Sequence, residues 1–297
     1  MRWILFLLVC GRLLASDGSE IRVATMNLKN YLVQDRRVEG RWIPEHPKPE
    51  SEKAALRRGV AEIDADILAL QEMGPPEFLL EFQRDLKADG MDYPHAILMR
   101  AEDPDRHLAV LSRIKPLEVL QHSDLDFPYQ DERIRLKRGL LEVVFPVDEG
   151  GSETWSLFVV HLKSRWSSVE ADPLSQERRT KEAQAARNRI LERYPEGEGL
   201  YLIAGDFNDH RDSGPLRRFL RRGSVDISQI VESYDSRGER WTFHYEKHDV
   251  YERVDFLLAS PDLLPFVEGV EGVVFDPLYL RKGTDHRPVF LDLNFDQ

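Results

Sequence analysis

The sequence predicts one α+β domain in which two β-sheets pack face to face with helices outside. Two observations carry that expectation. Apolar, strand-like runs recur throughout the chain, while segments with helical spacing lie in its first and middle thirds. No repeat, low-complexity tract or linker separates them. At 297 residues, 41% of them hydrophobic, the chain is long enough to bury a sizeable core. Its net charge of −12 argues against strong non-specific duplex binding, which usually needs a basic surface. Acidity leaves a phosphate substrate open, because a bound divalent cation can supply local positive charge.

The start, MRWILFLLVCGRLLASDG, resembles a secretory signal peptide over residues 1–16. Arg2 supplies the short positive region, Ile4 to Cys10 the apolar core, and Ala15–Ser16 a small-residue exit. Arg12 interrupts the apolar run, which is too short for a transmembrane helix. Val9 before Cys10 makes a poor lipoprotein signal. The expected location is therefore secreted or periplasmic, the alternative being an uncleaved, cytoplasmic N-terminus. Cys10 is the single cysteine, so the mature chain is expected to hold neither a disulfide nor a catalytic or zinc-binding thiolate.

IRVATMN reads as the first strand, and QDRRVEGRWIPEHPKPES, with its three prolines, as a long polar loop. SEKAALRRGVAEI has helical spacing and leads into a buried strand, ADILALQEM. PPEFLLEFQRDLKADG is a helix opened by proline and closed by glycine. HLAVLSR, RGLLEVVFPV and WSLFVVHLKSR read as strands, and SQERRTKEAQAARNRILERY as a long amphipathic helix. LYLIAGDFND is another strand, followed by a short basic helix, GPLRRFLRRG. RWTFHYE, RVDFLLAS and HRPVFLDLNF complete the strand set.

Polar residues recur where these strands end. In LIAGDFNDH the break is either a plain turn or a pair of oxygen ligands, since Asp206 and Asn208 point to the same side of an extended backbone. Asn27 fits a turn cap, Glu72 a solvent-facing side chain and His161 a satisfied histidine. Asp255 lies inside an apolar run, where a carboxylate needs a partner. Asp285 and His286 precede the last strand. One shared site explains so many polar strand ends better than independent accidents do.

TMN, LALQE, VVHLKS, GDFND, RVDFLL and TDHRPV occur in an order that resembles the endonuclease/exonuclease/phosphatase superfamily, over about residues 20 to 295. Each motif is weak alone, but the ordered set is specific. The resemblance implies a four-layer α/β/β/α sandwich of two mostly antiparallel sheets, deoxyribonuclease I-like, over residues 20–296. It implies Glu72 and Asn27 as metal ligands, with Asp285 touching the metal or supporting the histidine. Asp206 and Asn208 correspond to the pair that orients water and holds the scissile phosphate. His286 corresponds to the catalytic histidine, Asp255 to its orienting carboxylate, and His161 to a second histidine at the phosphate or leaving group. The oxygen-rich ligand set suits Mg²⁺, or Mn²⁺, rather than zinc.

One position departs from the pattern. Deoxyribonuclease I pairs the counterpart of His161 with a glutamate, whereas RLKRGLLEV places Arg138 there. An arginine clamps phosphate but cannot serve as that acid partner. Lys163 and Arg165 also suit phosphate contact, and Trp166 either stacks a base or covers the core edge. Arg217, Arg218, Arg221 and Arg222 share one side of the basic helix, as a polyanion guide or a solvated face. The expected activity is Mg²⁺-dependent phosphoester hydrolysis, with a nuclease as the leading form. A phosphatase or phosphodiesterase of small or lipid phosphates is the alternative, and a catalytically silent binding module is the reading of a different class. No obligate protein partner is inferred, and a monomer is expected.

Overall fold

The computed structural model describes residues 20–296 apart from 39 and 149; the expected leader over residues 1–16 lies outside them. Two large sheets form the frame. The seven-stranded sheet runs in the order Glu232–Tyr234, Glu271–Val274, Val289–Asn294, Glu20–Tyr31, Ile67–Met73, His107–Ser112, His95–Leu98. The six-stranded sheet runs Gln229–Ile230, Asp255–Ala259, Tyr201–Asp206, Thr154–His161, Leu140–Pro146, Glu118–His122. Most pairings are antiparallel. The exceptions are Glu20–Tyr31 with Ile67–Met73, Thr154–His161 with Tyr201–Asp206, and Glu232–Tyr234 with Glu271–Val274.

The side-chain period of two assigns each strand face to a layer. Val23, Ala69 and Val110 of one sheet meet Val143, Val159 and Ala204 of the other in the central core. Their neighbours Ala24, Leu68 and Leu70 face outward onto α1 (Glu50–Ile63) and α2 (Pro76–Ala88), through Leu56, Val60 and Phe82. On the opposite side Phe158, Val160 and Ile203 pack against α3 (Gln176–Arg193) and α4 (Gly214–Leu220), through Ala186, Ile190 and Phe219. Central strands are therefore apolar on both faces, which explains continuous runs such as ILAL and LFVV. This is the expected four-layer sandwich.

Two expectations fail locally. The segment read as a long polar loop contains an exposed antiparallel ribbon, Gln34–Val38 with Arg41–His46. Pro44 sits in this two-stranded ribbon, where a missing N–H is tolerated at an edge. The basic helix stops at Leu220, and Arg221–Arg222 form a short strand paired with Val225–Asp226 across a turn where Gly223 has φ +63°. Residues in a strand alternate in direction, so the four arginines do not make one helical face. Arg221 pairs with Asp226, and Arg217 donates to the carbonyl of Asp212.

Candidate active site

Strand register gathers the polar strand ends. His161 stands opposite Asp206 in the parallel pair, and Asp206 opposite Asp255 in the adjoining antiparallel pair. Three neighbouring strands of one sheet thus present His161, Asp206 and Asp255 in a row. In the facing sheet Asn27 is registered with Gln71, one residue before Glu72. Gly205 lets the strands approach ahead of Asp206: its φ is +148°, and a Cβ there would meet the Val160 carbonyl oxygen at 2.0 Å.

The two sheets meet through side chains. Asn27 Nδ2 donates to Asp206 Oδ2 at 3.0 Å and to Glu72 Oε1 at 3.4 Å. His161 Nε2 lies 3.6 Å from Asp206 Oδ2 and 3.9 Å from Glu72 Oε1. Asn208 donates its backbone N–H to Asp206 Oδ1 at 2.8 Å and its Nδ2 to the Leu162 carbonyl at 3.0 Å. Glu72 and Asn208 both adopt left-handed backbone, with φ of 60° and 53°. Such strained conformations in non-glycine residues gather where a site holds side chains in place.

His286 completes the row. Its Nδ1 is 2.9 Å from Asp255 Oδ2, and its Nε2 is 4.0 Å from Asp206 Oδ2. The partner that Asp255 needed is this histidine. The nearby arginines are engaged elsewhere, Arg253 with Glu232 and Arg287 with Asp235. Thr242 Oγ1 accepts the N–H groups of Val254 and Asp255, while Thr284 Oγ1 accepts from His286 N and donates to the Asn27 carbonyl. These two threonines were not singled out from the sequence. Thr284 lies within the quoted TDHRPV motif, the one signal that could have pointed to it.

The environment splits the titrating groups. Burial alone would lower the pKa of His286, but the charge and hydrogen bond of Asp255, with Asp206 and Asp285, raise it to about 10. Burial, followed by the charge of Asp255, raises Asp206 to about 7, against the opposing pull of His286 and the Asn208 N–H. His161 is held well below its ordinary value, first by burial and then by Arg138, His286, Arg106 and Lys163. At neutral pH, His286 is an imidazolium and His161 a neutral ring.

The remaining expected residues lie at the margins. Asp285 has Lys29 Nζ 3.3 Å from its carboxylate, and its charge supports the imidazolium of His286. Arg138 lies 3.1 Å from Asp103, and among the described residues no carboxylate takes up His161 Nδ1, which is buried without a hydrogen-bond partner. Lys163 folds back onto Ser164 and the Trp166 carbonyl.

The donor set fits a hard cation. The carboxylates of Glu72 and Asp206 converge with the Asn27 amide, whose oxygen accepts the Lys29 N–H at 2.9 Å. Ligand atoms of Asp206, Asp255 and His286 also lie within 4.8 Å of one another. That trio shares Asp206 with the first set and contains the Asp255–His286 pair.

The Endonuclease/Exonuclease/phosphatase family matches residues 31–286. The chain is similar to the human Nocturnin catalytic domain, solved with bound sulfate anion, at 16% identity and TM-score 0.62, over 93% of this chain and 94% of that one. It is similar to sphingomyelinase C from Streptomyces griseocarneus at 16% identity and TM-score 0.61, over 93% and 99%. The mannosyl-6-phosphatase Bt3783 of Bacteroides thetaiotaomicron is similar at 16% identity and TM-score 0.62, over 92% and 99%. At these identities the likeness speaks to the fold. No curated protein sequence matches the chain significantly.

Proposed function

Because the chain belongs to the endonuclease/exonuclease/phosphatase family, whose members hydrolyse phosphoester bonds, we propose that it is a metal-dependent phosphoester hydrolase. The observation that carries this reading is the meeting of Asn27 and Glu72 from one sheet with His161, Asp206 and the Asp255–His286 pair from the other. Glu72, Asn27 and Asp206 would hold Mg²⁺ or Mn²⁺, which when bound supplies positive charge against the phosphoryl oxygens.

The chain's own groups divide the remaining work. Asp206, shifted to about 7, is poised near neutral pH to take a proton from water that Asn208 helps to orient. Once a cation is bound its charge favours the carboxylate form, so the same group is then ready as a base. His286, kept charged by Asp255, stabilises negative charge building on the phosphoryl group. His161 presents Nε2 toward the two carboxylates, which favours the tautomer with hydrogen there, a neutral donor for a phosphate or leaving-group oxygen.

Purified protein with Mg²⁺ or Mn²⁺ should hydrolyse at least one of plasmid DNA, RNA, sphingomyelin, inositol phosphates or bis-p-nitrophenyl phosphate. Inactivity on all of them would favour a silent binding module. The reading places the protein outside the cytoplasm, on the leader-like residues 1–16. Protein recovered from its native host should then begin near Ser16 or Asp17, and retention of Met1 would contradict export.

A further inference from the structure

Where the strand Glu20–Tyr31 reaches the site, its register with Ile67–Met73 shifts between Asn27 and Tyr31. Two consecutive residues in this bulge, Lys29 and Asn30, have left-handed backbone, with φ of 50° and 55°. Residues other than glycine visit that region seldom, and then singly. Such a pair persists only where its surroundings hold it. Both of its N–H groups end on side chains of the proposed metal site. Lys29 N donates to Asn27 Oδ1 at 2.9 Å, and Asn30 N to Glu72 Oε2 at 2.8 Å. Asn27 thereby turns Nδ2 toward the carboxylates, and Glu72 keeps Oε1 facing Asn27 and His161.

The carbonyls of the same two residues meet cations. Lys48 Nζ donates to the Lys29 carbonyl at 2.9 Å, and Arg36 Nη2 to that of Asn30. Lys48 lies between the exposed ribbon and α1, yet its side chain is fully buried, with Glu52 3.1 Å away. Lysine is almost never fully buried unless paired, and here the ammonium divides between that carboxylate and the bulge carbonyl. Arg36 comes from the ribbon. Its Nη2 also donates to the Leu32 carbonyl at 2.9 Å, and its Nε to the His46 carbonyl at 3.2 Å. The Asn30 carbonyl takes a further N–H from Leu32 at 2.8 Å, and its side chain accepts Arg106 Nε at 2.7 Å.

We propose that Lys48 and Arg36 are positioning residues of the active site: by holding the carbonyls of Lys29 and Asn30, they fix the bulge whose N–H groups orient Asn27 and Glu72. The proposal deepens the metal-dependent reading and rests on it for the roles of Asn27 and Glu72. It also gives the exposed ribbon a task, since that ribbon carries Arg36 and leads into Lys48. Partners that orient a ligand from outside the ligand set are worth about 10–100-fold in metal affinity.

Two readouts on the whole protein test this. The first is hydrogen exchange of the Lys29 and Asn30 amides, followed by NMR in EDTA. Both amides should be protected in the wild type and exchange about tenfold faster or more in Lys48→Met and in Arg36→Met, while the amides of Val23 and Ala69 stay protected. The second is Mn²⁺ affinity, read from the EPR signal of the free ion. Glu72→Gln should lose binding, and Lys48→Met and Arg36→Met should each weaken it about tenfold or more. Adding Lys29→Gly to Lys48→Met should recover part of the affinity, because glycine adopts left-handed backbone without strain. A lysine that served only to stabilise the fold would show no such recovery.

Unchanged amide exchange in either variant, or faster exchange spread evenly through the sheet, overturns the proposal. So does wild-type Mn²⁺ affinity in either variant while Glu72→Gln loses it, or the absence of recovery with Lys29→Gly. Should Lys48→Met fail to fold, Arg36→Met decides on the same two readouts, with Asn30→Gly as its recovery variant. A wild type that binds no Mn²⁺, yet loses protection locally in the variants, would defeat the metal reading and leave the hold on the bulge standing.

Discussion

Asp255 Oδ2 lies 2.9 Å from His286 Nδ1, and the other carboxylate oxygen of Asp255 is buried without a hydrogen-bond partner among the described residues. The carboxylate therefore has one specific task, fixing the imidazole and holding its charge. If so, the two residues act as a unit. His286→Ala should lose roughly 10²–10⁴ in turnover, the usual scale for a positioned acid–base group. Asp255→Asn should lose less, because the ring remains, and the double variant should be little worse than His286→Ala. Losses that multiply in the double variant would remove Asp255 from the unit.

The same pair makes metal-free stability depend on pH. His286 has an ordinary value of 6.5 and about 10 in the folded chain, so the folded state holds its proton more tightly than the unfolded state. The stabilisation is fully present below about pH 6.5 and is lost as pH rises toward about 10. Asp206, raised from 3.8 to about 7, acts in the same direction at lower pH. Urea unfolding in EDTA at several pH values from 6.5 to 10 should show stability falling more steeply for the wild type than for His286→Ala. Parallel curves would mean that the imidazolium is not stabilised by its neighbours.

The main strands were legible as apolar runs, and several residues of the candidate site were legible as polar groups at or near the ends of those runs. Asp206, His161 and Glu72 mark places where buried strands reach a polar edge. What supports them was not legible. Thr284 reaches the Asn27 carbonyl across 257 residues, and Thr242 holds the backbone of Asp255 across 13. Side chain to backbone bonds over such separations leave no local pattern. The 34–46 ribbon escaped for another reason. It is exposed, charged and proline-bearing, so it lacks the hydrophobic alternation that identifies a strand.

Arg179 is another such support, fully buried on α3. It donates to Asp209 at 3.0 Å and to the carbonyls of Lys163 and Leu174 at 3.0 and 3.1 Å. It thus ties the segment after His161 to the one after Asp206. Arg179→Met leaves the buried Asp209 without its guanidinium partner, keeping the His210 N–H, and should cost about 3–5 kcal/mol in urea unfolding. Turnover should fall as well, since both catalytic segments lose their anchor. A loss below about 1 kcal/mol, the scale of a surface pair, would contradict this role.

The central claim is that Glu72, Asn27 and Asp206 make a metal site on which hydrolysis depends. The most direct measurement is turnover of bis-p-nitrophenyl phosphate, or of the best substrate found, by the wild type and Glu72→Gln. Each is assayed in Mg²⁺, in EDTA, and in EDTA followed by excess Mg²⁺, with melting temperatures recorded alongside. The account predicts activity in Mg²⁺, none in EDTA and recovery on adding the metal back. Glu72→Gln should lose orders of magnitude in turnover with its fold intact. Full wild-type activity in EDTA, or full activity of Glu72→Gln, would contradict it.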